Sequence, residues 1–394
     1  MIGRSTLALA LFWLAGPQAG HTPTSIGTYQ AGSEPACDPS RRGSMIVVLG
    51  ATGHSDALEV CLRDGAGRFT WTAASTPNHN TFAHTRMLGG CPIFPDNNVW
   101  NSTVDKLPVS GDSAGIIATY AAARFGTVPE FPINLADAKV PESPVHFDAA
   151  ESDQGKYPIA GNMKMEGTQR ESPVSGGPYR NSDAHLLVIQ TSECKLYEIF
   201  ALQSAAPPWH GSSGAIYDLM RNDLRPNGWT SADAAGLPIW PGVLTYDELY
   251  GGAEIRHVIR FSVDHSRNSY VWPARHYASR SGDVKLPPMG SRWRLKASTD
   301  EAVCRANENN GKPYPPEMQR LIRGLKHYGI MLADNGIAIR ISTDADARWA
   351  SSRPGGNVES VLNNWTHCLT GKDFDVVDTA GLMVNPDSAE TIPQ

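Results

Sequence analysis

Between residues 214 and 279 the chain crowds together side chains that could do chemistry. The runs GAIYDLMRNDLRPNGWTSADAAGLPIWPG (214–242), EIRHVIRF (254–261) and YVWPARHYAS (270–279) carry Asp218, Arg225, Asp233, Arg256, His257, Arg260, Arg275 and His276 beside Trp229, Trp240 and Trp272. Charged and aromatic residues at this density, on strand ends and Pro/Gly turns, fit a lined cleft better than a plain core. Hydrolysis of a glycosidic bond needs two carboxyls, one holding a proton for the leaving oxygen and one ionised. Asp233 and Asp218 are the first candidates for that pair, with Glu198 as alternate. His276, His257 and Arg275 would position substrate or tune those acids. The indoles of Trp229, Trp240 and Trp272 would stack on sugar faces, with Arg260, Asp153, Tyr157 and Asp334 as further substrate contacts.

Other chemistries use the same residues. An Arg that neutralises a uronate carboxyl, with His or Tyr taking the α-proton, would make Arg275 with His276 or His257 a polysaccharide lyase centre. Tyr157, Tyr270 and Tyr277 would then be the acids. A non-catalytic glycan-binding or surface protein is the third reading. Each carboxylate also has a structural role open to it: Asp233 sits in a SADAAG turn, and Asp334-Asn335-Gly336 is good turn sequence. Arg260 and Arg275 could pair with Asp218, Asp233 or Glu254 as structural bridges. A metal set of His185, His257 and His276 with Asp183 or Asp233 lacks any HxH or HExxH spacing, so no metal is expected. GSSG (211–214) is not the GxSxG elbow of a serine hydrolase, and no cofactor motif is present.

These groups need strands to hold them. HLLVIQ (185–190), KLYEIFAL (195–202), GAIYDL (214–219), GVLTY (242–246), IRHVIRFSV (255–263), SYVWPARHY (269–277), SRWRLKAS (291–298) and IAIRIS (337–342) all read as strands. In KLYEIFAL, Leu196, Glu198 and Phe200 share one face and Tyr197, Ile199 and Ala201 the other. The clearest helix is PPEMQRLIRGLKHYG (315–329), with Pro315 and Pro316 at its first turn, Gly329 at its end, and an apolar stripe of Met318, Leu321, Ile322 and Leu325. With 37 Gly and 29 Pro in 394 residues, turns and short strands outweigh helices. The fold class expected is mainly β: a two-sheet sandwich with a few helices over 91–380, preceded by a small β module at 37–74, with linkers at 20–36 and 75–90 and a tail over 381–394 that frays from Pro386.

A net charge of −6 with no basic run argues against a nucleic-acid partner. Arg4 followed by LALALFWLAG (7–16) reads as a secretory signal cut after Ala19, too short to span a membrane. The mature chain is then expected to be secreted, periplasmic or on the cell surface, free of the membrane, with a polysaccharide as its partner. The six cysteines, Cys37, Cys61, Cys91, Cys194, Cys304 and Cys368, favour disulfides in an exported chain. GATGHSD (50–56) is no nucleotide fingerprint, since no crossover helix or third glycine follows.

Cys37-Asp38, Arg42-Gly43, the Gly50–Gly53 turn, Val60-Cys61, Asp64 and Trp71 resemble a small Cys-bracketed module of bacterial and phage surface proteins. The resemblance implies a Cys37–Cys61 bridge and a bacterial source. Cys91, Cys194, Cys304 and Cys368 then allow three connectivities. Residues 91–380 resemble a widespread family of exported bacterial proteins through CPIFPDNNVWN, ESDQGKYPI, GWTSADAAGLPIWPG, YVWPARHYAS and YGIMLADNG. That likeness implies domain limits and export, and carries no chemistry with it.

Overall fold

The computed structural model describes residues 27–30, 32–49, 57–63, 67–73, 81–167, 171–174, 183–299, 314–354 and 356–392. The expected signal segment, the Gly50–Gly53 turn, Asp64 and Cys304 lie outside them. The chain divides into two compact units, Met1–His79 and Asn80–Gln394. It is mainly β, with 32% strand against 17% helix.

The first unit is a four-stranded sheet of β1 (Gly27–Gln30), β2 (Met45–Leu49), β3 (Ala57–Arg63) and β4 (Phe69–Ala73) in that order. Cys37 and Cys61 form a disulfide. Trp71 donates its indole N–H to the Pro35 carbonyl at 2.5 Å, tying β4 to the segment between β1 and β2. A bridge across 24 residues contributes about 3 kcal/mol in the chain-entropy picture, which matters in a unit with so small a core.

The second unit opens with β5 (Met87–Leu88), β6 (Cys91–Pro92), helix α1 (Ser113–Tyr120), β7 (Gly126–Phe131), β8 (Ile133–Ala136) and β9 (Glu142–Phe147). It continues through β10 (Lys156–Pro158), β11 (Lys164–Glu166), β12 (Glu171–Pro173), β13 (Leu186–Gln190), β14 (Lys195–Phe200), β15 (Trp209–Gly211) and β16 (Ser213–Asp218). After helix α2 (Tyr246–Tyr250) come β17 (Ile259–Val263), β18 (Arg292–Leu295), helix α3 (Pro316–His327), β19 (Ile330–Asn335) and β20 (Arg340–Asp344). The chain ends with β21 (Ser352–Arg353), β22 (Gly356–Asn357), helix α4 (Val358–Thr366) and β23 (Phe374–Val377).

Two sheets dominate: β23-β18-β19-β17-β20-β7 and β16-β14-β13-β8. They share one core, in which Leu187, Ile189, Leu196 and Ala215 of the smaller sheet join Ile259, Phe261, Leu332 and Ile341 of the larger. The far face of the smaller sheet is also covered. Leu186, Val188, Tyr197 and Ile199 pack there against Val145, Phe147, Tyr157 and Trp209 from the β10-β9-β15 sheet. That is why β13 is apolar at successive positions instead of alternating: it is buried on both faces. The faces of β14 alternate as the period of two requires, with Leu196 in one core and Tyr197 and Ile199 in the other. Helix α3 buries the stripe Met318, Leu321, Ile322 and Leu325. Gly329, at φ +67, turns the chain out of it where a Cβ would strike the Trp293 carbonyl.

Several expected boundaries move. GVLTY is no strand: Thr245 and Glu248 form a capping box that starts α2 there. SYVWPARHY is irregular beyond a single bridge from Tyr270 to Met289, because Pro273 has no N–H for a ladder. Helices α1 and α4 carry weaker apolar patterns and escape the sequence reading. Residues 81–90 are not a linker, since Arg86 donates to the Trp240, Pro241 and Val243 carbonyls and pairs with Glu248. Residues 386–392 are not frayed: Ala389 and Thr391 are buried, and Trp272 and Arg275 bond to Ser388, Pro386 and Asp387. Cys91 pairs with Cys194, and Cys368 is disulfide-bonded as well. No described helix is long and apolar enough to cross a membrane.

Candidate functional site

Four adjacent strands of the larger sheet turn one polar row to the same face. Register sets this: Ser262 of β17 lies opposite Asp334 of β19 and Arg340 of β20, so Arg260 and Ser342 fall on the same side as Asp334. Ser342 pairs with Val128 of β7, and Glu130 is two residues on, on that side again. The guanidinium of Arg260 is the hub. Its Nε and Nη2 donate to Asp233 Oδ2 and Oδ1 at 2.9 and 2.8 Å, a fork-to-fork pair. Its Nη1 donates to Ser342 Oγ and lies 3.4 Å from Glu130 Oε1, while Nη2 lies 3.7 Å from Asp334 Oδ2. Ser342 Oγ in turn donates to Glu130 at 2.7 Å. The Phe131 ring underlies the guanidinium at 4.9 Å.

Asp233 reaches this hub from the GWTSADAAGLP loop. Ser231 Oγ caps its N–H at 2.9 Å, and Ala235 N–H donates to the Ala333 carbonyl, docking the loop on β19. Gly236, at φ +67, completes the turn, and a Cβ there would lie 2.4 Å from the Trp229 carbonyl.

Burial and charge set the two carboxyls at the rim. Asp334 keeps 31% of its side chain exposed and Glu130 keeps 25%, while Asp233 keeps 1%. Burial first, then the Asp233 charge, lifts Asp334 to about 7 against the pull of Arg260. Burial also raises Glu130, with Arg260 and the Ser342 hydroxyl opposing it. A neighbouring group lies past Phe131, whose ring meets that of His185 edge-on at 5.2 Å. His185 bonds Glu166 Oε2 through Nδ1 at 2.6 Å and the Ala232 carbonyl through Nε2 at 3.0 Å. Burial pushes the His185 imidazole down, but Glu166, with Asp183 and Asp233 behind it, carries it up to about 9.

Of the residues singled out from sequence, Asp233, Arg260 and Asp334 meet here. The others have different work. Asp218 ends β16 and accepts from Met220 N–H at 2.9 Å, a turn cap. Glu198 is fully buried and accepts from Ile239 and Trp240 N–H. His257 is fully buried; Nδ1 faces the Val258 carbonyl at 2.7 Å, and Nε2 lies 3.1 Å from Glu248 at an angle too poor for a hydrogen bond. Arg275 is held by the Arg225 and Pro386 carbonyls and Asp387. His276 sits beside the Asp233 loop with Nδ1 on the Ala234 carbonyl at 2.9 Å.

Asp153 pairs with Arg225 and accepts from Ile216 N–H, and Tyr157, buried, donates to the Asp153 carbonyl. Trp240 is core rather than a sugar platform. Trp229 is half-buried beneath Arg225, and Trp272 is half-buried against the cluster of Val104, Leu107, Val377 and Leu382. Glu198, His257, Tyr157 and Trp240 therefore cannot touch a substrate in this arrangement. Glu130, Glu166 and Ser342 are what the sequence reading missed. The signal available was a lone acid in a strand, Glu130 between Pro129 and Phe131. Surface hollows of about 560 and 290 Å³, lined by Arg294, Lys296 and His327 and by His84, Arg256 and Tyr328, include none of the residues gathered at Arg260.

In comparisons with known proteins, no family model, curated sequence or solved structure matches the chain.

Proposed function

We propose that the protein is an exported carbohydrate-active enzyme, a glycoside hydrolase whose carboxyl pair is Asp334 and Glu130. The observation that carries this reading is the Arg260 hub, where two rim carboxyls and one buried carboxylate share a single guanidinium. Asp334, lifted to about 7, can hold a proton at neutral pH and give it to a leaving oxygen. Glu130, paired with Arg260 and hydrogen-bonded by Ser342, is the partner carboxylate, as nucleophile or as base for water. Asp233 is a positioning residue: it orients Arg260 and its charge helps keep the proton on Asp334. The disulfides Cys37–Cys61 and Cys91–Cys194 support the exported half of the reading.

The test is release of reducing ends from a panel of neutral and acidic polysaccharides. We expect reducing ends without the near-ultraviolet chromophore of an unsaturated uronate. Asp334→Asn and Glu130→Gln should each lower kcat by about 10²-fold or more with the melting curve unchanged. Unsaturated ends would turn the reading to a lyase. Retardation on polysaccharide without any product, or full turnover in both variants, would remove the hydrolase.

A further inference from the structure

Beside the Arg260 hub, Glu166, Asp183 and His185 each offer one donor atom, and the three atoms lie within 4.8 Å of one another. We propose that these three side chains bind a single divalent cation of the zinc or manganese type. The proposal goes beyond the hydrolase reading and does not rest on it.

The donor set is one imidazole nitrogen and two carboxylate oxygens, the mixture that suits zinc and manganese better than the all-oxygen shells of calcium or magnesium. The imidazole is already oriented as a ligand. His185 is buried, and its Nε2 faces the Ala232 carbonyl at 3.0 Å, which accepts the ring N–H. Nδ1–H now donates to Glu166 Oε2 at 2.6 Å, so a cation would displace that proton and take the Nδ1 lone pair, with the Ala232 carbonyl kept as the outer-shell acceptor that metal-ligating histidines use. The ligands are also held by the fold. Glu166 ends β11 and Asp183 and His185 precede β13, and Glu166 N–H donates to the His185 carbonyl at 2.9 Å. The two carboxylates are not alone in drawing positive charge here, since Asp233 also acts on the His185 ring together with Glu166 and Asp183. Three protein ligands would leave a position for water, on the side where Asp183 is exposed.

The experiment uses the full chain, stripped with chelator and dialysed against zinc, manganese or calcium chloride, with bound metal counted by atomic emission and melting followed in parallel. One zinc or manganese per chain is expected, with a higher melting temperature that chelator reverses. Asp183→Asn changes an exposed side chain and keeps the fold, and it should weaken binding by at least about tenfold, as should Glu166→Gln. Turnover plays no part in the readout, so a chain that binds metal yet cleaves no polysaccharide would sink the hydrolase and keep this site. No uptake at millimolar metal, uptake of calcium alone, or equal affinity in both variants would overturn the site and leave Glu166 and His185 as a plain ion pair.

Discussion

At the scale of single residues, the Asp233–Arg260 pair decides how the site can be tested. Both side chains are almost fully enclosed, so removing one strands the other's polar groups. Asp233→Asn is therefore expected to cost about 3–5 kcal/mol of stability, read by urea unfolding; a loss under about 1 kcal/mol would show that the pair behaves as a solvated one. An activity loss in that variant would thus say little about chemistry. Asp334 is the cleaner probe. If its protonated form donates, activity in the wild type falls as pH rises through about 7, and Asp334→Asn removes that limb along with most of the rate. A limb that survives in the variant would assign it to another group. Asp233, Arg260 and Asp334 were legible because they sit in dense polar motifs. Glu130 was not, because one acid in an apolar strand has no local signature, and only strand register aligns it with Arg260.

At the scale of elements, β14 carries an acid into the core between the two large sheets. Glu198 is fully buried there and holds the Ile239–Trp240 turn by its two N–H groups. Burial lifts it from 4.5 to about 7, so the folded state holds its proton more tightly than the unfolded chain does. The sign follows: this group's contribution is best below pH 4.5, weakens as pH rises to about 7, and is level beyond, a swing of about 3 kcal/mol. The stability gap between wild type and Glu198→Gln should accordingly shrink from pH 4.5 to pH 8 in urea titrations. A gap that stays constant would place the carboxyl outside the low-dielectric core. The alternation that put Glu198 on the Leu196 face was readable from period two alone. The two-sided burial of β13 and the capped turn at Thr245 mattered as much, and the second was misread as a strand because VLTY is apolar and β-branched.

At the scale of the molecule, Cys91–Cys194 ties the start of the second unit to the β13–β14 hairpin across 103 residues. A loop that long restricts the unfolded chain strongly, so Cys91→Ala with Cys194→Ala should lower unfolding free energy by about 4 kcal/mol while near-ultraviolet dichroism stays native. A change well under about 1 kcal/mol would mean that the unfolded chain is already compact there. The sequence by itself determined the β-rich class, six of the eight strands it predicts in the second unit, helix α3 and a small β unit ahead of them, because periodicity, turn residues and apolar stripes are local properties of the chain. Only the tertiary structure decided which cysteines pair, which acids gather at Arg260, and that Trp240 and His257 are core. Those outcomes depend on strand order and register between segments from 27 to 130 residues apart, where a one-residue slip would turn every side chain to the other face.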